Sequence, residues 1–102
     1  MIAELTITPM CESEDTADWL AMVIDKIDES GLDYQVTAMG TIIESDSWDV
    51  LMDTVKLAHE TILANCARVQ TDLRIDEHKG RSGMLNKRVN EMEHITGKEL
   101  KH

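Results

Sequence analysis

The chain has 102 residues, 42% of them apolar, with two Trp, one Tyr and no Phe, so one domain with an aliphatic core is expected. Its net charge of −10 argues against a nucleic-acid binder, which needs a basic footprint to meet phosphates. No apolar run approaches the roughly 20 residues of a membrane span, and the N-terminus lacks the basic-then-apolar pattern of a secretory leader.

Residues 2–8, "IAELTIT", alternate: Ala3, Leu5 and Ile7 point one way, Glu4, Thr6 and Thr8 the other. That is the pattern of a half-buried strand, and Pro9, with no N–H to donate, ends it. After the polar "CESED", Thr16 or Ser13 caps a helix that runs to about Ser30 and stops at Gly31. Ala17, Leu20, Ile24 and Ile27 give its apolar stripe. A second alternating run covers 33–39, with Tyr34, Val36 and Ala38 on one side. Gly40 breaks it at a hairpin bend or bulge, and "TIIE" continues as a third strand. "SDSWD" then supplies capping side chains for a helix over about 47–66. Its stripe is Leu51, Val55, Ala58 and Ile62, broadened by Val50, Leu57 and Ala64. "ARVQTDLRID" alternates as a fourth strand. After the turn-rich "EHKGRSG", Leu85, Val89 and Met92 have helical spacing, with Gly97 as the stop.

The order β-α-β-β-α-β with an extra C-terminal helix is that of a two-layer, ferredoxin-like α+β sandwich. One domain over residues 1–95 is expected, with a short polar tail at 96–102. Two helices cover only one face of such a sheet. The other face is left with Glu4, Thr6, Thr8, Gln35, Thr37, Gln70, Asp72 and Arg74. It is open to solvent, stacked on a second subunit, or the floor of a site. Charge is also uneven along the chain: residues 1–66 hold 14 acids and 2 bases, residues 67–102 hold 6 acids and 8 bases. Solvated helix faces account for this, and so does contact between the acidic part of one chain and the tail of another.

Catalytic chemistry finds little support. "HETIL" at 59–63 starts like a zinc-protease helix but has Leu63 where the second histidine must stand. His78, His94 and His102 have no partner at ligand spacing, and no nucleophile elbow is present. "KGRSG" is too short for a phosphate loop. An acylphosphatase-type enzyme needs a phosphate cradle after the first strand, where this chain has the repelling "CESED". Cys11 and Cys66 show neither metal nor redox spacing and are too few for a disulfide framework, so free thiols and a cytoplasmic protein are expected. The best candidate is a non-catalytic small-molecule site on the polar face. Thr6, Thr8, Thr37 and Thr41 offer hydroxyls, and Glu4 and Glu44 offer carboxylates to an amino group or cation. Met39 and Trp48 offer packing surface for a ring, and Gly40 allows close backbone approach. The alternative reading is a sheet face that serves only assembly or a partner protein.

The stretches "AELTITPM", "DYQVTAMGTIIE", "VKLAHETI", "RVQTDLRID" and "LNKRV" together resemble the thiamine-binding protein family, over nearly the whole chain. That resemblance implies a ferredoxin-like fold, homodimers pairing through their sheets, often homotetramers, and no catalysis. It implies binding of thiamine or a hydroxymethylpyrimidine-like ligand near the sheet and the subunit junction, with no catalytic cofactor, metal, nucleic acid or membrane partner. Two positions depart from the family pattern. Pro9 is followed by "MCESED" where a glycine is usual, and "IDEHKGR" has Glu77 and His78 where an arginine is usual.

Overall fold

A computed structural model describes residues 1–11, 16–80 and 83–100, with the backbone only at 16, 17, 84 and 86–88. The elements run β1 (Ile2–Pro9), α1 (Thr16–Glu29), β2 (Asp33–Thr37), β3 (Gly40–Glu44), α2 (Trp48–Leu63), β4 (Val69–Asp76) and α3 (Met84–Thr96). The four strands form one antiparallel sheet in the order β2-β3-β1-β4. This is the ferredoxin-like topology read from the sequence. Each β-α-β crossover skips one strand, which places the two segments nearest the middle of the chain, β2 and β3, on one side of β1.

Strand alternation sorts side chains between two faces. Ala3, Leu5, Ile7 and Ile43 are buried under α1 and α2, where they meet Val23, Ile27, Leu51, Val55, Ala58 and Ile62. Ile27, Ile43, Leu51 and Ile62 are the largest side chains fully removed from water. The expected α2 stripe is therefore the buried one, while Val50 and Leu57 are exposed. Ser47 caps α2 by accepting from the Val50 N–H at 3.2 Å.

Three expectations need correction. On α1 the buried pair is Val23 and Ile27, with Trp19, Met22 and Ile24 packed beside them, and Leu20 is 52% exposed. The stripe is rotated because the bulky Trp19 and Val23, one turn apart, set the face that meets the sheet. Thr16 is the first residue of α1 rather than its cap, and Ser13 lies outside the described residues. On β2, Tyr34 packs on the core but Val36 is exposed, because β2 is the edge strand that the helices reach least.

The cysteines contradict the free-thiol expectation. Cys11, just past β1, is joined to Cys66, in the connection from α2 to β4, by a disulfide. β1 and β4 are paired along their whole length, so the segments that leave them at this end are neighbours; Met10 N–H donates to Arg68 O at 2.9 Å in the same place. Spacing along the chain carried no sign of this, since 55 residues separate the two. With free thiols gone, the ground for expecting a cytoplasmic protein goes too. No described helix is long and apolar enough to cross a membrane.

Candidate functional site

The register fixes what stands on the face away from α1 and α2. β1 contributes Ile2, Glu4, Thr6 and Thr8; β3 contributes Gly40, Ile42 and Glu44. β2 adds Asp33, Gln35 and Thr37, and β4 adds Gln70, Asp72, Arg74 and Asp76. All eight residues expected on the polar face are there. Five carboxylates (Glu4, Asp33, Glu44, Asp72 and Asp76) share this face with one guanidinium, Arg74, which stands opposite Glu4 in the β1–β4 register.

The predicted site residues do not gather in one place. Thr6, Thr37, Met39 and Gly40 meet at the β2–β3 corner, where their polar groups hold the turn itself. Thr37 Oγ1 donates to Gly40 O at 2.8 Å and accepts from Met39 N–H at 3.2 Å, while Thr6 Oγ1 donates to Met39 O at 3.3 Å. A Cβ on Gly40 would lie 2.8 Å from Thr6 Oγ1 and 3.0 Å from Leu5 O, so the close approach that glycine permits is to β1. Thr8 stands farther along the same face, opposite Gln70. Thr41 is 5% exposed and points to the helix side, because it pairs with the core residue Leu5. Glu44 is at the far end of β3, four residues and about 13 Å of strand from Gly40, and Trp48 lies beyond it as the first residue of α2.

Glu44 has a structural partner that sequence reading missed. Its Oε2 accepts from the Leu85 N–H at 2.6 Å, in the first turn of α3. The residue before α3, Gly83, has φ 69° and no side chain with which to cap, so Glu44 supplies the missing acceptor from across the chain. A carboxylate also suits the positive end of the helix dipole. Trp48 is half exposed at the start of α2, and Met39 is exposed on the turn.

Near the Glu44 end, the open face has a depression of about 560 Å³ lined by Ile2, Glu4, Ile42, Arg74, Ile75 and Asp76. That volume is within the ~300–1,000 Å³ usual for small-molecule sites. Its chemistry is three half-buried isoleucines beside two carboxylates and a guanidinium. Ile42 is the signal available in the sequence: it is an apolar side chain at an alternation position that faces the polar side. A smaller groove of about 310 Å³ lies between α1 and α2, and there Lys26 already pairs with Glu29 at 3.5 Å.

Two other ionisable groups are tied to structure. His59 on α2 shares a hydrogen bond with Thr71 Oγ1 at 2.6 Å, which holds α2 to β4. The Tyr34 hydroxyl donates to Asp28 Oδ1 at 2.9 Å, and that bond, followed by burial and the charges of Asp28 and Asp25, raises its pKa above the ordinary value. Among the described residues, no three His, Cys, Asp or Glu side chains are grouped to hold a metal ion.

These features define a ferredoxin-like α+β domain with one sheet face left uncovered by its own two crossover helices. The model of the thiamine-binding protein family matches residues 3–93, and the chain belongs to that family. A relative from Methanothermobacter thermautotrophicus, named only as a UPF0045 protein, is 34% identical over 90 residues, covering 85% of this chain and 90% of the relative. The crystal structure of a hypothetical protein from Methanocaldococcus jannaschii shares the fold with a TM-score of 0.81 at 27% identity, over 89% of this chain and 93% of that one. A Thermotoga maritima protein, assigned provisionally to thiamine biosynthesis or salvage, has a TM-score of 0.78 at 22% identity, over 89% and 96% of the two chains. That likeness concerns the fold.

Proposed function

We propose that the protein binds thiamine or its aminopyrimidine fragment, without catalysis, in the depression on the open face of the sheet. The observation that carries this reading is the pairing of Ile2 and Ile42 with Glu4 and Asp76 in one concave patch. Thiamine has a flat aminopyrimidine and a permanently charged thiazolium. The isoleucines give the rings apolar surface, while the carboxylates accept from the amino group and oppose the cation. Arg74 suits the hydroxyl or phosphorylated end of such a molecule. Thr6 and Thr8 lie on the same face farther along β1, and Met39 with Thr37 and Gly40 forms the distant rim. Glu44 stands on the same face at the near end, Trp48 starts α2, and Thr41 has no part because it faces the core. The family to which the chain belongs and the provisional assignment of the Thermotoga maritima relative point to the same class of ligand.

Isothermal titration with thiamine and with hydroxymethylpyrimidine tests this. Saturable binding is expected, with Glu4→Gln weakening it roughly tenfold or more through loss of a charge-assisted contact. No heat at millimolar ligand contradicts the reading.

A further inference from the structure

We propose that the depression selects the unphosphorylated, cationic form of its ligand and turns phosphorylated forms away, with Arg74 serving as a counter-charge to Glu4 and not as a phosphate anchor. This rests on the reading of the depression as the ligand's seat and adds the form of ligand that it takes. The register shows which charges surround Arg74. Glu4 stands directly across from it on β1, and Asp72 and Asp76 stand two residues before and after it on β4, on the same face. Side chains directly opposite have Cβ atoms about 5 Å apart, and those two apart on one strand about 7 Å. β4 is an outer strand of the sheet, so the remaining side of Arg74 is the open edge. One guanidinium is thus enclosed by three carboxylates.

Esterification with phosphate adds roughly two negative charges at neutral pH and makes an anion of a cation. Such a group reaching for Arg74 meets Glu4, Asp72 and Asp76 as well, and attraction to one charge is outweighed by repulsion from the others. Repulsion of this kind is how a site rejects a close analogue. The wider surroundings act in the same direction. Asp33 and Glu44 add further carboxylates to the face. Backbone N–H groups at a helix start are a common seat for phosphate, and here the Leu85 N–H in the first turn of α3 is already taken by Glu44 at 2.6 Å. Past Asp76 the chain continues with Glu77 and Lys79, both exposed and of opposite sign, which leaves the balance unchanged. A thiazolium cation meets the reverse, attraction from Glu4 and Asp76 in the lining itself. Of the hydroxyl and phosphorylated ends of such a molecule, the hydroxyl is the one these charges admit beside Arg74.

Isothermal titration of the full chain with thiamine, thiamine monophosphate and thiamine diphosphate reads the selection. Thiamine should bind roughly tenfold or more tighter than the diphosphate, with the monophosphate between them. Asp72 lies outside the lining of the depression, so Asp72→Asn removes one surrounding charge and leaves the lining intact. It should narrow the ratio of thiamine to diphosphate affinity roughly threefold. High salt should narrow the same ratio in the wild type, because exposed charges are screened. A diphosphate that binds as tightly as thiamine, or more so, overturns the selection and leaves the ligand's seat standing. A ratio indifferent to both salt and Asp72→Asn, at unchanged circular dichroism, overturns the role given to the carboxylates. No heat with any of the three ligands removes the seat, and the selection with it.

Discussion

The two faces of the sheet are made from alternate residues of the same four strands, yet they have opposite fates. On one, Ala3, Leu5 and Ile43 are shut away beneath α1 and α2. On the other, Ile2 and Ile42, their neighbours in sequence, lie half-covered among carboxylates at the floor of a depression. The difference shows where the fold draws its stability and what it leaves over. Burial of aliphatic surface on the covered face holds the domain together, and apolar groups on the open face are retained at some cost in solubility. That cost makes sense where something else covers them.

Substitutions can break this contrast in order of size. The largest effect belongs to the covalent clip at the sheet's end. Removing the Cys11–Cys66 disulfide frees a loop with a sequence separation of 55, worth about 4 kcal/mol by loop-closure entropy. Urea unfolding with and without a phosphine reductant, or of Cys11→Ser/Cys66→Ser, measures it as a fall in the midpoint. Next, Leu51→Ala on the covered side opens a void at a fully buried position and should cost about 3 kcal/mol. Ile42→Ala, on the open side, should cost less than about 1 kcal/mol in the same assay while weakening ligand binding. Equal losses at the two positions would erase the distinction between the faces. Smaller again is Glu44→Ala, which removes the cap of α3 and should lower stability by about 1 kcal/mol. Hydrogen exchange should show that loss at α3 amides, such as Leu85, and leave the sheet protected.

The fold was legible because alternation and helical periodicity agreed with glycine and proline punctuation throughout. The α2 stripe of Leu51, Val55, Ala58 and Ile62 came through intact, as did the eight residues of the polar face. What sequence could not supply was register. Thr41 and Glu44 look like members of one motif, but strand alternation puts three residues' difference on opposite faces. Gly40 reads from sequence as a bend or bulge that also permits close backbone approach, and only the register says what approaches it, Thr6 and Leu5 of β1. The disulfide depended on β1 and β4 being neighbours at one end, which no local spacing records. Glu44 as a cap for α3 was likewise a contact across 41 residues.

The central claim is that recognition belongs to the open face. Amide chemical-shift mapping on titration with thiamine tests it most directly. The account predicts shifts concentrated at Ile2, Glu4, Ile42, Arg74 and Asp76, with the α1–α2 groove at Val50, Asp53 and Leu57 unmoved. Shifts confined to that groove, or none at saturating ligand, would contradict it.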